Sequence, residues 1–270
     1  MKLLKKILKE ADSLTGNVLN KHFQANFPNH EFDQHDAATL GLLEDMVGKT
    51  NSLIVLVESD NLNGTDALTR MIFENYVFIK FILEKDTKTR GESYVNSIRY
   101  NNMKLFDLYT SSKESGEKVR QFLSVEKEKF IQKFPDLSDQ QYRQKLKDDF
   151  LRPLNLNSEK KLTWYNFNGK TNNFRKLCEH IGKEAEYLLL YKLYSSEVHA
   201  TQALSYFKFK ENYIEVFRKK SFDQKHHIDT VSNFLMDIIR EIYGYYKLKS
   251  DLGRFNTNVY VNHKTVRELL

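Results

Sequence analysis

Leu68-Thr-Arg-Met-Ile-Phe-Glu-Asn-Tyr-Val-Phe-Ile-Lys-Phe-Ile-Leu83 is the stretch on which the fold turns. It contains no glycine or proline, and its apolar residues fall on nearly every side of a 3.6-residue turn. It therefore reads as a helix, largely apolar from Ala67 to Leu83, that belongs in the middle of a bundle. Arg70 and Glu74 interrupt it at i and i+4, which puts guanidinium and carboxylate on one helix face. Stranding one member of a buried ion pair costs about 3–5 kcal/mol, so each is expected to pair with the other or with polar partners. Two readings stand side by side: an ion pair that fixes helix register, or part of a functional site.

Upstream of this helix, Asn63 or Thr65 can serve as its cap. Ser59-Asp-Asn-Leu-Asn-Gly64 closes an earlier apolar helix over Ala37–Glu58, and Pro28 sits in a turn-rich piece at 26–36. Leu3 to His22 repeats apolar residues at helical spacing (Leu3, Leu4, Ile7, Leu8, Ala11, Leu14, Val18, Leu19). Downstream, helical patterns cover Ser93–Tyr109, Glu114–Phe134 up to Pro135, and Ser138–Phe150. Residues 151–170 are irregular. Helices resume at Asn172–Ile181, Lys183–Tyr206 and Gln224–Lys249, and residues 251–270 read as a tail in which Asn258-Val-Tyr-Val-Asn262 adds a short strand. The expected architecture is an all-α, multi-helix bundle, a single domain over 1–250 with no internal repeat or linker.

Composition agrees. The 270 residues are 40% hydrophobic and 29% charged, with only Gly 10 and Pro 3, which argues against turn-dense all-β and linker-rich classes. A single cysteine excludes an intramolecular disulfide and any multi-cysteine metal site. The basic start, Met1-Lys-Leu-Leu-Lys-Lys-Ile-Leu, lacks the continuous apolar stretch of a signal peptide, and the longest plain aliphatic run is Leu53 to Val57. No membrane partner is expected, and the chain reads as cytoplasmic. Charge is uneven: residues 1–100 hold 12 Lys+Arg against 14 Asp+Glu, whereas 101–270 carry a net +8. Lysine-rich stretches interleaved with aromatics suit a polyanion such as RNA, because lysines displace counterions and rings stack on bases; they suit a Lys- and Phe-rich composition habit equally well.

A second constellation is Tyr191-Lys-Leu-Tyr-Ser-Ser-Glu-Val-His199. Tyr191, Ser195 and His199 share one helix face at i, i+4 and i+8, and Lys192 lies on a neighbouring line. A histidine among hydroxyls on a bundle-facing helix suits general acid–base work; it suits a hydrogen-bonded core histidine as well. Other motifs fail. Gly169-Lys-Thr171 lacks the upstream glycine of a phosphate loop, since Trp164 stands there. His30, Asp33, His35 and Asp36 have no metal-ligand spacing, His226-His227 has no partner pattern, and Cys178-Glu-His180 is a lone thiol. No metal and no cofactor are expected.

The order of these elements resembles a family. Asn63-Gly-Thr-Asp-Ala-Leu-Thr-Arg70-Met-Ile-Phe-Glu74 is followed about a hundred residues later by Trp164-x4-Gly169-Lys170, Leu177-Cys-Glu-His-Ile-Gly182 and Tyr187-x3-Tyr191-x3-Ser195-x3-His199. This is similar to the bacterial helical family of unknown function DUF5677, over roughly residues 40–205. The resemblance implies an all-α fold with the Arg/Glu and Ser/His helices as its marked elements, and it implies no activity. A looser likeness is to HEPN-type helical bundles, many of them metal-independent RNases of toxin or antiviral systems. Their signature is an arginine and a histidine with four to six residues between them at a dimer cleft; here six residues separate Lys192 from His199, with lysine in the place of arginine. That likeness implies an RNA-directed protein of a bacterial defence or toxin system, with His199 as acid/base and Arg70 or Lys192 stabilising the phosphorane charge; together with the two constellations above, the expected catalytic residues are Arg70, Glu74, Ser195 and His199. Lys192, Lys170, Arg175 and Lys176 would bind the anion, and Tyr191 and Trp164 would shape the pocket. Expected partners are RNA, a protein of the same operon, or a second copy in a homodimer. The alternatives are a non-enzymatic interaction module with a structural Arg/Glu/Ser/His cluster, and a small-molecule or nucleotide sensor.

Overall fold

Helix α1 (Lys2–Val18) buries Leu4, Ile7, Ala11, Leu14 and Val18, an alternating three–four spacing that turns Lys2, Lys5, Lys6 and Lys9 to water. It opens a computed structural model that describes residues 1–154, 162–192, 207–216 and 224–267. The protein is all-α apart from one short hairpin among these residues. Its chain forms two compact units, Met1–Lys85 with Cys178–Leu270, and Asp86–Leu177.

The first unit is built on four helices: α1, α2 (Gln34–Glu58), α3 (Thr65–Glu84) and, from the far end of the chain, α10 (Gln224–Tyr245). Each packs on two others in a closed cycle, α1 on α2, α2 on α3, α3 on α10 and α10 on α1. The decisive stretch is indeed central: Ile72, Phe73, Val77, Ile79 and Ile82 are fully buried, each worth about 1.5–3 kcal/mol by transfer. Helix α2 begins earlier than its apolar run suggests, because Asp33 and Asp36 form a reciprocal capping box at its start. At the start of α3 neither Asn63 nor Thr65 is the cap residue. Gly64 occupies that position with φ +86°, a conformation that costs glycine nothing, while the Thr65 hydroxyl donates to the Leu62 carbonyl.

The chain returns to this unit along α8 (Phe174–His180), turns at Gly182 (φ +69°), and runs through α9 (Glu184–Glu186) into a π-helical turn, Tyr187–Lys192, which packs on α3. Strands β1 (Phe207–Phe209) and β2 (Ile214–Val216) pair antiparallel, Phe207 opposite Val216. Helix α10 ends where Lys247 adopts φ +58°, and α11 (Lys249–Arg267) follows. The tail expected over 251–270 is thus helical through 267, and the strand expected at 258–262 does not form. Asp251, Phe255 and Val259, one helical turn apart, are buried against the bundle, and that stripe overrides the β-branched local preference.

In the second unit, α4 (Thr87–Thr110) packs with α5 (Glu114–Leu123), α6 (Lys127–Lys133) and α7 (Gln140–Leu151). The single helix expected over 114–134 is broken at Ser124, which sits at φ +53°. The irregular segment near 162–173 is held by side-chain bonds to its backbone: Ser93 Oγ donates to Trp164 O (2.8 Å) and Thr171 Oγ1 to Tyr165 O (2.7 Å).

Candidate functional site

Arg70 and Glu74 meet on α3 as their spacing requires, Nε to Oε1 at 3.4 Å. The pair is not sealed in the core: the Arg70 side chain is 16% and the Glu74 side chain 31% exposed. Burial pushes the Glu74 carboxyl above the usual carboxylate range, even though Arg70 and Lys49 pull the other way. Lys49 comes from α2 and pairs with Asp45, while its Nζ also lies 3.3 Å from Asn75 Oδ1. Asn75 Nδ2 in turn donates to Asp45 Oδ2 (2.8 Å) and to the Leu42 carbonyl (3.2 Å), so a polar seam joins α2 to α3 beside the ion pair. Burial acts to raise the Asp45 carboxyl as well, but its bonds to Lys49 and Asn75 win and hold it below the usual range.

Glu74 also faces the returning segment. Cys178 is fully buried and its thiol is pushed up to about 12, first by burial and then by the charges of Glu186 and Glu74. The thiol is correspondingly unreactive. Two residues on, His180 Nε2 lies 3.0 Å from Glu84 Oε2, at the other end of α3. The π-helical turn that packs on α3 ends at Tyr191 and Lys192, the first two residues of the Tyr/Ser/His run. Ser195 and His199 lie outside the described residues. Lys170, Arg175 and Lys176 are exposed and Trp164 is buried, all in the second unit.

Two polar groups of the first unit escaped the sequence reading. On the α10 side of α3, Tyr76 donates to Asp237 Oδ2 (2.7 Å) and Lys80 bridges Asp237 (3.2 Å) and Glu241. Burial raises the Glu241 carboxyl against the pull of Lys80. Beside this seam is a cavity of about 420 Å³, walled by Tyr76, Phe234, Lys183, Glu186 and Arg240. Tyr76 and Lys80 on one helix, and Asp237 and Glu241 on another, each at i and i+4, were the available signal. The second group is Asp66, Thr69 and His227, all buried: His227 Nδ1 is 2.8 Å from Thr69 Oγ1, and Nε2 is 3.2 Å from Asp66 Oδ1. The histidine that showed no partner pattern in sequence finds its partners 158 and 161 positions upstream, Thr69 and Asp66.

Among the described residues no group of three or more His, Cys, Asp or Glu side chains can hold a metal ion, and no helix is long and apolar enough to cross a membrane. No curated protein and no solved structure matches the chain. A family model does, over residues 36–216, and by that match the chain belongs to DUF5677, a family of unknown function.

Proposed function

We propose that this DUF5677 member is an RNA-directed, HEPN-like protein that cuts RNA without a metal, with Arg70, Glu74, Ser195 and His199 as its reacting group. The observation that carries this reading is the packing of α3 on the turn Tyr187–Lys192: the helix bearing Arg70 and Glu74 lies against the segment that leads into Ser195 and His199. The ion pair keeps contact with solvent, as a pair that must meet a substrate requires, whereas a purely architectural pair gains nothing from it.

The chemistry needs three things from the protein. A base takes the proton of a ribose 2′-hydroxyl, whose oxygen then attacks the adjacent phosphorus; His199 fills this role. A cation stabilises the charge that gathers on the phosphorane oxygens, and Arg70 supplies it. An acid gives a proton to the departing 5′-oxygen as the P–O bond breaks, leaving a 2′,3′-cyclic phosphate and a free 5′-hydroxyl. Glu74 serves that step in its protonated form, which burial favours and in which its carbonyl oxygen still accepts from Arg70. The net +8 of residues 101–270 favours phosphate binding at low salt.

The test is cleavage of a mixed-sequence RNA in EDTA by wild type, His199→Ala and Arg70→Gln. Cleavage to 2′,3′-cyclic phosphate ends by wild type, reduced at least about a hundredfold in both variants at unchanged melting temperature, is the expected result. An inactive wild type, with variants that melt early, overturns the reading and leaves an interaction module whose Arg/Glu/Ser/His cluster is structural.

A further inference from the structure

Given the acid role proposed for Glu74, on which this rests, we infer that Lys49 of α2 is a positioning residue that acts on the Glu74 proton from across the α2–α3 contact. Three side chains close a hydrogen-bonded ring there. Asp45 and Lys49 lie at i and i+4 on α2 and pair. Asn75 of α3, 4% exposed, accepts from Lys49 Nζ at 3.3 Å and donates to Asp45 Oδ2 at 2.8 Å and to the Leu42 carbonyl at 3.2 Å. Both ends of its amide are engaged, so its orientation is fixed, oxygen toward the cation and nitrogen toward the two acceptors. A surface lysine usually swings on its four-carbon stem; this one, with its side chain 22% exposed, is held by partners on two helices.

Asn75 follows Glu74 in the chain, with Cα atoms about 3.8 Å apart, so a charge pinned to Asn75 stands beside Glu74 on the α2 side of α3. Burial is the largest influence on the Glu74 carboxyl. Arg70 opposes it through charge and a hydrogen bond, and Lys49 through charge alone. The effect of Lys49 can therefore be altered without touching the ion pair. Asp45 answers part of the ammonium charge and stays ionised, because its bonds to Lys49 and Asn75 outweigh its own burial. The other elements packed on α3 leave this control intact. The Cys178 thiol of α8, pushed up to about 12, is neutral at working pH, Glu186 pairs with Lys183, and Asp237 and Glu241 are answered by Lys80.

Substitutions at the two ends of the ring should move Glu74 in opposite directions. Lys49→Met keeps the stem and removes the cation, so Glu74 should hold its proton to a pH higher by at least about half a unit. Asp45→Asn keeps an acceptor for Asn75 and uncovers the cation, so Glu74 should release its proton at a pH lower by about the same step. Lys49→Arg, which keeps the charge, should stay near wild type. The measurement is an NMR pH titration of the Glu74 side-chain carboxyl carbon in the full chain, assigned by its loss in Glu74→Gln. Movement in one direction in both variants, or in neither, overturns the inference whatever their melting temperatures. Cleavage of the mixed-sequence RNA in EDTA separates this from the nuclease reading. In a protein that cuts, the limb of the pH–rate profile that belongs to Glu74 should follow the titration in each variant, and a limb that stays in place removes the positioning role. A protein that cuts nothing while Glu74 titrates as stated sinks the nuclease reading alone.

Discussion

Replacing His227 with alanine should destabilise the protein by about 3 kcal/mol, and the structure says where the loss arises. The imidazole is 2% exposed and joins Thr69 (2.8 Å) to Asp66 (3.2 Å). Thr69 is not orphaned by its removal, because its hydroxyl still has the Thr65 carbonyl at 2.9 Å. The loss falls on Asp66, 3% exposed, whose carboxylate must then remain in the core without its imidazole. Removing a hydrogen-bond partner from a buried charged acceptor costs about 3 kcal/mol or more. Asp66 lies in the first turn of α3, where the helix dipole favours a negative charge, so the lower end applies. Urea unfolding followed by helical circular dichroism at neutral pH measures the loss. Adding Asp66→Asn to His227→Ala should recover part of it, since a neutral amide is cheaper to leave in the core. A loss below about 1 kcal/mol, or no recovery in the double variant, refutes the argument that the carboxylate carries the cost.

Three other outcomes follow from geometry and charge. Cys178 should react with iodoacetamide at pH 8 roughly a thousandfold more slowly than an ordinary thiol, as a thiol pushed up to about 12 leaves so little thiolate, and labelling at a free-cysteine rate in native buffer would contradict its burial. Tyr246→Phe should cost about 1.5–3 kcal/mol in urea unfolding, because its hydroxyl donates to the buried Asp36 carboxylate at 2.8 Å; a neutral result would mean that this bond contributes nothing net. Glu74 holds its proton more tightly folded than unfolded, so its stabilising contribution is full below the ordinary value of 4.5 and is lost as pH rises through the higher folded value. The melting temperature of Glu74→Gln should therefore gain on wild type across that window, and a difference that stays constant or runs the other way removes burial as the dominant influence on this carboxyl.

Periodicity made α1, α2 and α3 legible, because each has an apolar pattern that only burial in a bundle can satisfy. The Arg70–Glu74 pairing was legible for a local reason: i and i+4 meet on any helix. What stayed hidden was everything set by distant partners. Helix α11 looks weak alone, and its buried stripe of Asp251, Phe255 and Val259 has meaning only once α1 and α10 are in place. His227 reads as an idle histidine until α3 brings Asp66 and Thr69 to it. The hairpin was available in principle, since Phe207-Lys-Phe209 and Ile214-Glu-Val216 alternate with a period of two, but three residues a side give that pattern little weight. The break at Ser124 has no sequence marker of the glycine or proline kind.

The discontinuity of the first unit has a consequence on the ribosome. Tyr76 and its acceptor Asp237 are 161 positions apart, and the whole of Asp86–Leu177 is made between them. At a synthesis rate of about 5–20 residues per second, α3 emerges roughly 8–30 seconds before α10 can cover Phe73 and Tyr76. During that interval the second unit, contiguous in sequence, has all its own partners at hand, while the most apolar helix of the chain waits with one face open. That interval is when a nascent-chain chaperone has the most to hold, and its binding should end as α10 clears the exit tunnel.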